Sequence, residues 1–554
     1  MTRTKALVRP ALVLFGFVLS TACFGQVPAG REEPPRPADS ALPGLGIKPP
    51  APPSTSLPVA SINVTRFRFS GLTVVDRAEL ERVVAPWTGR QVSGAELSQA
   101  ANAVTEHLRR RGLFVAHAYF PEQNVTDGVV EMAIAEGRLG RVTIEMPEES
   151  RLRKPVAEAM LAPLQPGILI RRGEFDTPLL ILNDLPGVTV TPVLTQGREP
   201  GTADVGIRLA DDPLLGGFLR LTNHEQRELG RYELTAHLRL RNPLGIGDLA
   251  TAEFLGSDTG GRVLGTFSYS LPVNSLGTRV GAIYRNQHAD VGGDFEALGI
   301  NGTWTRWIFQ ARHPFVRTDE RSLDAGLQYT HINYRDRIDA VSFSSETRHR
   351  YGSATLRADA VDRVLGSGRS VLSLGIDAGR VDLDPSGAAA DATGLRVNGE
   401  FQRMRVRLER TQAVTSSSEI ALAGTAQLAS KNLDAGLELG ISGPYSVRGY
   451  PVEELFADQG WFATIEFRYR LPFGDPWRFQ TALFADQGRG DINKNPLGTG
   501  ANNTRRLSAY GLAIRAAGPG QLSAGLTLAW RGRQEPVTDP DRNPRVWFTV
   551  QKGF

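Results

Sequence analysis

The chain is poor in cysteine: among 554 residues there is one, Cys23. A single cysteine rules out any disulfide within the chain. Lysine is also sparse, so arginine supplies nearly all the positive charge. The formal net charge is only +4, far from the single-signed field that drives binding to nucleic acid. No nucleic-acid partner is expected. Mean hydropathy is −0.21, and no run of about 18 apolar residues follows the N-terminus. That excludes a membrane-spanning helix in the mature chain. It does not exclude a β-barrel, whose strands alternate apolar and polar residues and give a weak hydropathy signal. Catalytic motifs are missing as well. The eight histidines are scattered, with no H-E-x-x-H zinc pattern, no G-x-S-x-G nucleophile elbow and no phosphate-binding loop. No catalytic residue, metal or cofactor is expected. The adjacent acids Glu453 and Glu454 read as a solvated loop, not as a glycosidase pair.

What is present divides the chain into five parts. Arg3, Lys5 and Arg9 precede the apolar stretch ALVLFGFVLSTA, which reads as a secretory signal over residues 1–25. LSTAC resembles a lipoprotein signal with its leucine one position early; the preferred reading is an ordinary signal peptide with an incidental cysteine. Residues 26–60 are too rich in proline for a long helix and read as an extended tether.

Residues 61–138 carry the order β-α-α-β-β. INVTRFRFSG alternates like a strand, a helix is expected from Asp76 to Ala85, and a second from Ala95 to Arg111. Leu97, Ala101, Val104 and Leu108 share one face of that second helix, and Gly112 suits its C-terminal cap. Two strand-like runs follow, at 114–120 and 128–137. Residues 139–212 repeat the pattern, so the period is roughly 75 residues, right for tandem small domains.

From Pro213 to Phe554 the chain is a succession of short alternating strands and turns. In IEFRYRL, Ile465, Phe467 and Tyr469 alternate with Glu466, Arg468 and Arg470; YELTAHLRLR behaves likewise. A soluble sandwich would point the apolar side at a core, whereas a membrane barrel would point it at lipid and the charged side at a wet lumen. Short turns such as NPLGIGD (242–248), mixed with long connections, favour the barrel. So does the aromatic end of the last strand, RVWFTVQKGF, with Phe548 and terminal Phe554. Lys552 interrupts its apolar row.

These features together resemble the TpsB family, the outer-membrane translocators of two-partner secretion, within the superfamily of POTRA-plus-barrel translocators and insertases. The resemblance runs from about residue 61 to the end. In the first repeat it rests on Gly112, Pro121, Gln123, Gly128, Glu136 and Gly137. In the second it rests on LLILNDLPGVTVTPVLTQGREPGTADVGIRL. Its most specific parts are VRGY, Val447 to Tyr450, and FADQG, with Phe484, Asp486 and Gly488.

The resemblance implies a transmembrane antiparallel β-barrel of about 16 strands preceded by two α+β POTRA domains. The barrel residues then allow roughly 21 per strand and connection. It further implies a loop around 435–461 folded into the barrel, with Arg448 held by Asp486 on the wall. The implied activity is export of an extended, TpsA-like exoprotein from the periplasm to the surface of a Gram-negative cell. The implied partners are that cargo, outer-membrane lipid and the barrel-assembly machinery during biogenesis. An insertase-like assembly factor is the alternative. The Arg448–Asp486 contact is read either as a requirement of transport or as barrel stability alone, and lumen arginines either as a cationic pore or as a genomic preference. The family's N-terminal plug helix would here be short, around ADSALPGLG, or absent.

Overall fold

A computed structural model describes residues 61–71, 73–199, 201–496 and 502–554. The signal segment, Cys23, the proline-rich tether and any plug helix lie outside the described residues.

The first module comprises β1 (Ile62–Val64), β2 (Arg66–Ser70), α1 (Arg77–Val84), β3 (Arg90–Val92), α2 (Gly94–Arg110), β4 (His117–Tyr119) and β5 (Val129–Ala135). Ser93 and Glu96 form a reciprocal capping box at the start of α2. The backbone and side chain of Ser93 donate to the Glu96 carboxylate, which lies at about 2, below its ordinary value. Gly112 follows α2 at φ +87, a conformation that favours glycine. The buried faces of both helices meet β2 and β5 in one apolar core. The strand expected over 114–120 narrows to His117–Tyr119, because the Ala116 amide turns back to the Leu113 carbonyl. The short β3, which pairs with β1, was not anticipated.

The second module comprises β6 (Arg138–Glu145), α3 (Lys154–Leu161), α4 (Arg172–Asn183), β7 (Val188–Gln196) and β8 (Thr202–Asp211). Its sheet order is β6-β8-β7, with β6 parallel to β8. Pro192 is tolerated because β7 is an edge strand and needs no ladder donor on its outer side.

The barrel follows: β9 (Leu215–Thr222), β10 (Glu233–Arg241), β11 (Leu249–Ser257), β12 (Arg262–Pro272), β13 (Arg279–Asp290), β14 (Ile300–Arg317), β15 (Arg321–Ile338), β16 (Phe343–Asp362), β17 (Gly368–Leu383), α5 (Pro385–Thr393), β18 (Gly399–Ala413), β19 (Ser418–Ala429), the short inner pair β20 (Leu439–Gly440) and β21 (Phe456–Ala457), then β22 (Gln459–Arg470), β23 (Arg478–Asp491), β24 (Thr504–Gly518), β25 (Leu522–Arg531) and β26 (Arg545–Gly553). All these strands except β20 and β21 close into one 16-stranded antiparallel barrel, β26 pairing with β9. Terminal Phe554 extends the seam by exchanging backbone hydrogen bonds with Gly217 at 3.0 and 3.1 Å.

Side-chain direction decides between sandwich and membrane barrel. Ile465, Phe467 and Tyr469 are exposed on the outer surface, while Glu466 and Arg468 are buried inside. Leu234, Leu238 and Leu240 point out, while Glu233 and His237 point in. Only lipid outside and polar groups inside make that pattern favourable. The inner arginines are not a bare cationic lining. Arg403 pairs with Asp377 at 2.6 Å, Arg369 with Asp359 at 2.6 Å and Arg468 with Glu466 at 2.7 Å.

The second module docks on the short turns at one end of the barrel. The Arg153 amide donates to the Gly245 carbonyl at 2.9 Å, and Arg317 grips Asp184 at 2.7 and 2.9 Å. This end is therefore the periplasmic one. At the same junction Asp176 is buried in α4. Burial, then the nearby charge of Asp319, pushes its carboxyl up to about 7 against the opposing pull of Arg172. The folded state thus holds this proton more tightly than the unfolded chain. Stability contributed by the protonated group is fully present below about pH 4 and is lost as pH rises to about 7. Thermal unfolding of the full chain in detergent should show the junction weakening from pH 5 to pH 8. Asp176→Asn should flatten that slope; an unchanged slope would remove Asp176 as its cause.

Candidate functional site: a loop locked inside the barrel

Residues 430–458, between β19 and β22, enter the lumen. Gln459, Gly460 and Trp461, expected at the end of this loop, already belong to the barrel wall in β22. Two apolar contacts hold the loop. Its distal part, with Ile441, Val447, Tyr450 and Leu455, packs on Leu507 and Ala509 of β24. Its base, with Leu433 and Leu437, packs against Trp304, Ile332, Tyr351 and Phe401, on strands β14 to β18. The loop therefore crosses the lumen from one wall to the other.

At the distal contact sits Arg448, 8% exposed. Its Nε and Nη2 donate to the two oxygens of Asp486 at 2.9 and 2.6 Å, and its own backbone amide adds a third bond at 3.1 Å. Nη1 donates to Glu466 at 2.5 Å and Nη2 to Thr464 at 2.8 Å. The guanidinium carbon lies 3.4 Å from the centre of the Phe484 ring. A planar fork matched to a carboxylate and stacked on an aromatic face is geometry that lysine does not reproduce.

The flanking motif residues have separate tasks. Phe484, Asp486 and Gly488 alternate on β23, so all three face inward. A Cβ at Gly488 would lie 2.4 Å from Cγ2 of Ile441, so glycine there admits the loop. A Cβ at Gly449 would lie 2.8 Å from Arg531 Cα and 2.9 Å from Ala509 Cβ, so the loop backbone rests directly on β24 and β25. Val447 and Tyr450 are fully buried, and the Tyr450 hydroxyl donates to the Gln534 carbonyl at 3.1 Å.

Some contributors were not anticipated. Glu466 was read as a lumen charge but not tied to Arg448; it also takes ion pairs from Arg468 and Arg515. Trp547 donates its indole N–H to the Arg448 carbonyl at 2.8 Å, linking the closing strand to the loop. Its neighbour Phe548 points to the outside, with Val546 and Val550. The assignment of Glu453 and Glu454 to a solvated loop is wrong: they are 3% and 0% exposed. Glu454 pairs with Arg505 at 2.5 Å and accepts amide protons from Val537 and Thr538 at 2.9 and 3.1 Å. A charged pair in sequence looks solvated until partners from 51 and 83 residues away are brought to it.

The first-module motif residues hold that module together. The Gln123 amide bridges both the N–H and the carbonyl of Glu131 on β5, at 2.6 and 2.7 Å. Pro121 precedes it, and Gly137 sits where β5 passes into β6, against Val115. Glu136 accepts from the backbone amides of Thr73 and Val74. None of these residues joins Arg448 in the lumen.

The model of the haemolysin secretion/activation proteins ShlB/FhaC/HecB matches residues 201–516, more than half the chain. The chain belongs to this family. A ShlB-type POTRA domain matches residues 62–137. Among curated relatives, the heme/hemopexin transporter protein HuxB of Haemophilus influenzae (strain 86-028NP) is 24% identical over 499 residues, covering 88% of this chain and 87% of that protein. The outer membrane transporter CdiB of Escherichia coli O6:K15:H31 is 27% identical over 186 residues, covering 33% and 31%. Among solved structures, CdiB from Escherichia coli superposes with a TM-score of 0.69 at 20% identity, covering 93% of this chain and 94% of that one. BamA from Haemophilus ducreyi lacking POTRA domains 1–3 gives 0.52 at 14% identity, covering 89% and 100%. At these identities the structures establish the shared fold. Family membership makes this protein an outer-membrane transporter that exports a secreted exoprotein, with its POTRA modules in the periplasm.

Proposed function

We propose that the two periplasmic modules capture an extended TpsA-like exoprotein and pass it into the barrel, whose lumen-crossing loop gates its passage. The observation that carries this is the loop's double attachment. Its Arg448 end is fixed by a bidentate, stacked guanidinium, while its Leu433–Leu437 end is held by apolar contact, by the Leu437 carbonyl, which accepts from Arg403 at 2.5 Å and Gln427 at 3.1 Å, and by Asp434, which lies 3.0 Å from His349. Single hydrogen bonds and apolar contacts release more readily than a desolvated bidentate pair backed by a third bond and an aromatic face, so the base lifts off its wall while the locked part stays. Capture uses strand addition to β7, the nine-residue edge of the second sheet, with the cargo supplying donors in its middle, because the Val190 amide is taken by Asn183 at 2.9 Å and Pro192 has no N–H; β4 in the first sheet has only three residues. The periplasm supplies no nucleotide, and folding of the cargo outside drives export. The barrel-assembly machinery inserts the protein through its closing strand, with Phe548 and Phe554, and outer-membrane lipid then surrounds it.

Deleting the gene tests this reading against an insertase role. Loss of one secreted protein from the medium, with other outer-membrane proteins at normal levels, is the expected result. Broad loss of outer-membrane barrels would overturn it.

A further inference from the structure

Strands β14, β15, β16 and β17 have 18, 18, 20 and 16 residues. A tilted strand needs about 9–11 to cross the hydrocarbon layer. The periplasmic ends are fixed by the docked second module, so the surplus stands on the outer side. Strand register sets the outward-facing residues of neighbouring strands in rows that run across the strands. One row runs Phe309, Tyr329, Gly352 and Ala378, and the row on its periplasmic side runs Ala311, Leu327, Ala354 and Ile376. Phe309, Leu327, Tyr329 and Ile376 are exposed there, and the small residues between them leave an apolar groove of about 950 Å³.

The rows on the outer side of the groove change abruptly. The next runs Tyr284, Trp307, His331, Arg350 and Arg380, and the one after it Thr305, Asn333, Arg348 and Asp382. Beyond them Arg335 stands opposite Glu346. The Tyr284 and Trp307 rings touch, with centroids 4.7 Å apart, an outward aromatic pair of the kind that makes up interfacial girdles. The side chains of Arg335, Arg348, Arg350 and Arg380 are 68, 59, 52 and 56% exposed. They meet two carboxylates. Asp382 pairs with Arg350 and Arg380, both at 2.6 Å, and Glu346 with Arg335 and Arg348 at 3.0 and 3.6 Å. Glu400 stands opposite Arg380 in the same row, and Asp384 accepts from the Glu346 amide at 3.0 Å. With Arg337, the next outward residue of β15, five guanidiniums face four carboxylates and leave one positive charge. A second, polar recess of about 450 Å³ opens among Thr303, Thr305, Asn333, Arg335, Arg348 and Arg350.

We propose that this face of β14–β17 binds a phosphorylated, multiply acylated glycolipid of the outer leaflet, a lipopolysaccharide, with phosphates on the arginine rows and an acyl chain in the groove beneath. A soluble anion would need only the polar recess. An apolar groove in register directly below it fits a ligand that is anionic at one end and acyl at the other. Guanidiniums suit phosphate because their fork is bidentate and weakly hydrated.

The test uses the full chain extracted from outer membranes in mild detergent, with co-purified 3-hydroxy fatty acids and phosphate quantified by mass spectrometry. The triple variant Arg335→Gln, Arg350→Gln, Arg380→Gln should weaken retention of lipopolysaccharide on the order of a hundredfold. A charge-matched control in the periplasmic modules, Arg66→Gln, Arg68→Gln, Arg208→Gln, should retain it. Barrel folding is checked by the mobility shift between unboiled and boiled samples. Delipidated protein should recover lipopolysaccharide in preference to phosphatidylglycerol, and inorganic phosphate should not compete. Equal lipopolysaccharide in the triple variant and the control would overturn the proposal. So would equal uptake of phosphatidylglycerol, or displacement by phosphate alone. Cargo secretion is read in the same strains, so failure of lipid binding is distinguishable from failure of export.

Discussion

Replacing Arg448 by alanine is expected to abolish export while a folded barrel remains in the membrane. The substitution removes the partner of Asp486 and one of the partners of Glu466, both of which stay buried in the lumen. Breaking a buried pair from one side costs about 3–5 kcal/mol, because the remaining charge is left desolvated and unpaired. At about 1.4 kcal/mol per tenfold, this shifts loop docking on the order of 10²- to 10³-fold. Glu466 is less affected, since Arg468 and Arg515 still hold it. Asp486→Ala should be similarly damaging from the other side. The double variant should be less damaging than the sum of the two, since neither lone charge remains. Arg448→Lys should not rescue, because an ammonium cannot make the bidentate contact while stacking on Phe484. The readouts are cargo in the medium and heat-modifiable mobility of the barrel. Normal secretion from both single variants would sink the transport role and leave the pair a stabilising contact.

The second large effect concerns the opposite end of the loop. Leu433→Ala with Leu437→Ala is expected to raise the ion conductance of the purified barrel in planar bilayers and to leave the Arg448 lock intact. Both leucines are buried against the far wall. Truncating a buried leucine costs about 2–5 kcal/mol, and here the cost falls on the docked state of the loop alone. Open time should therefore rise strongly in this variant. A closed level indistinguishable from the unaltered protein would show that the base contact does not gate the pore. The contrast between the two ends is informative in itself. A purely structural loop would make both sets of changes lower barrel stability with no opposite effects on conductance and secretion.

Much of this was legible in the sequence because it depends on local rules. The 3.6-residue spacing in α2 and the period-2 alternation of the barrel strands follow from backbone geometry, so the elements could be placed without knowing their neighbours. The Ser93–Glu96 cap and the Gly112 terminus are likewise short-range. Resemblance of VRGY and FADQG to a family pattern supplied the Arg448–Asp486 pairing, which spacing alone could not. Where reading failed, the cause was distance along the chain. Glu454 looked solvated because Arg505 and Val537 lie far away in sequence. Trp547 gave no sign that its indole would meet a carbonyl 99 residues earlier.

By itself, then, the sequence determined the two helices of the first module and the alternation of barrel strands such as those carrying Leu234 and Ile465, since these are written in local periodicity, and its short motifs pointed to Arg448 and Asp486 through their resemblance. Alternation could not say which side faced lipid, because a sandwich core and a bilayer reward the same pattern. Only barrel closure, by pairing β26 with β9, turned Glu466 and Arg468 inward and Ile465 and Phe467 outward. Closure also set the far wall opposite the lock, and so decided that the loop carrying Arg448 spans the lumen from wall to wall.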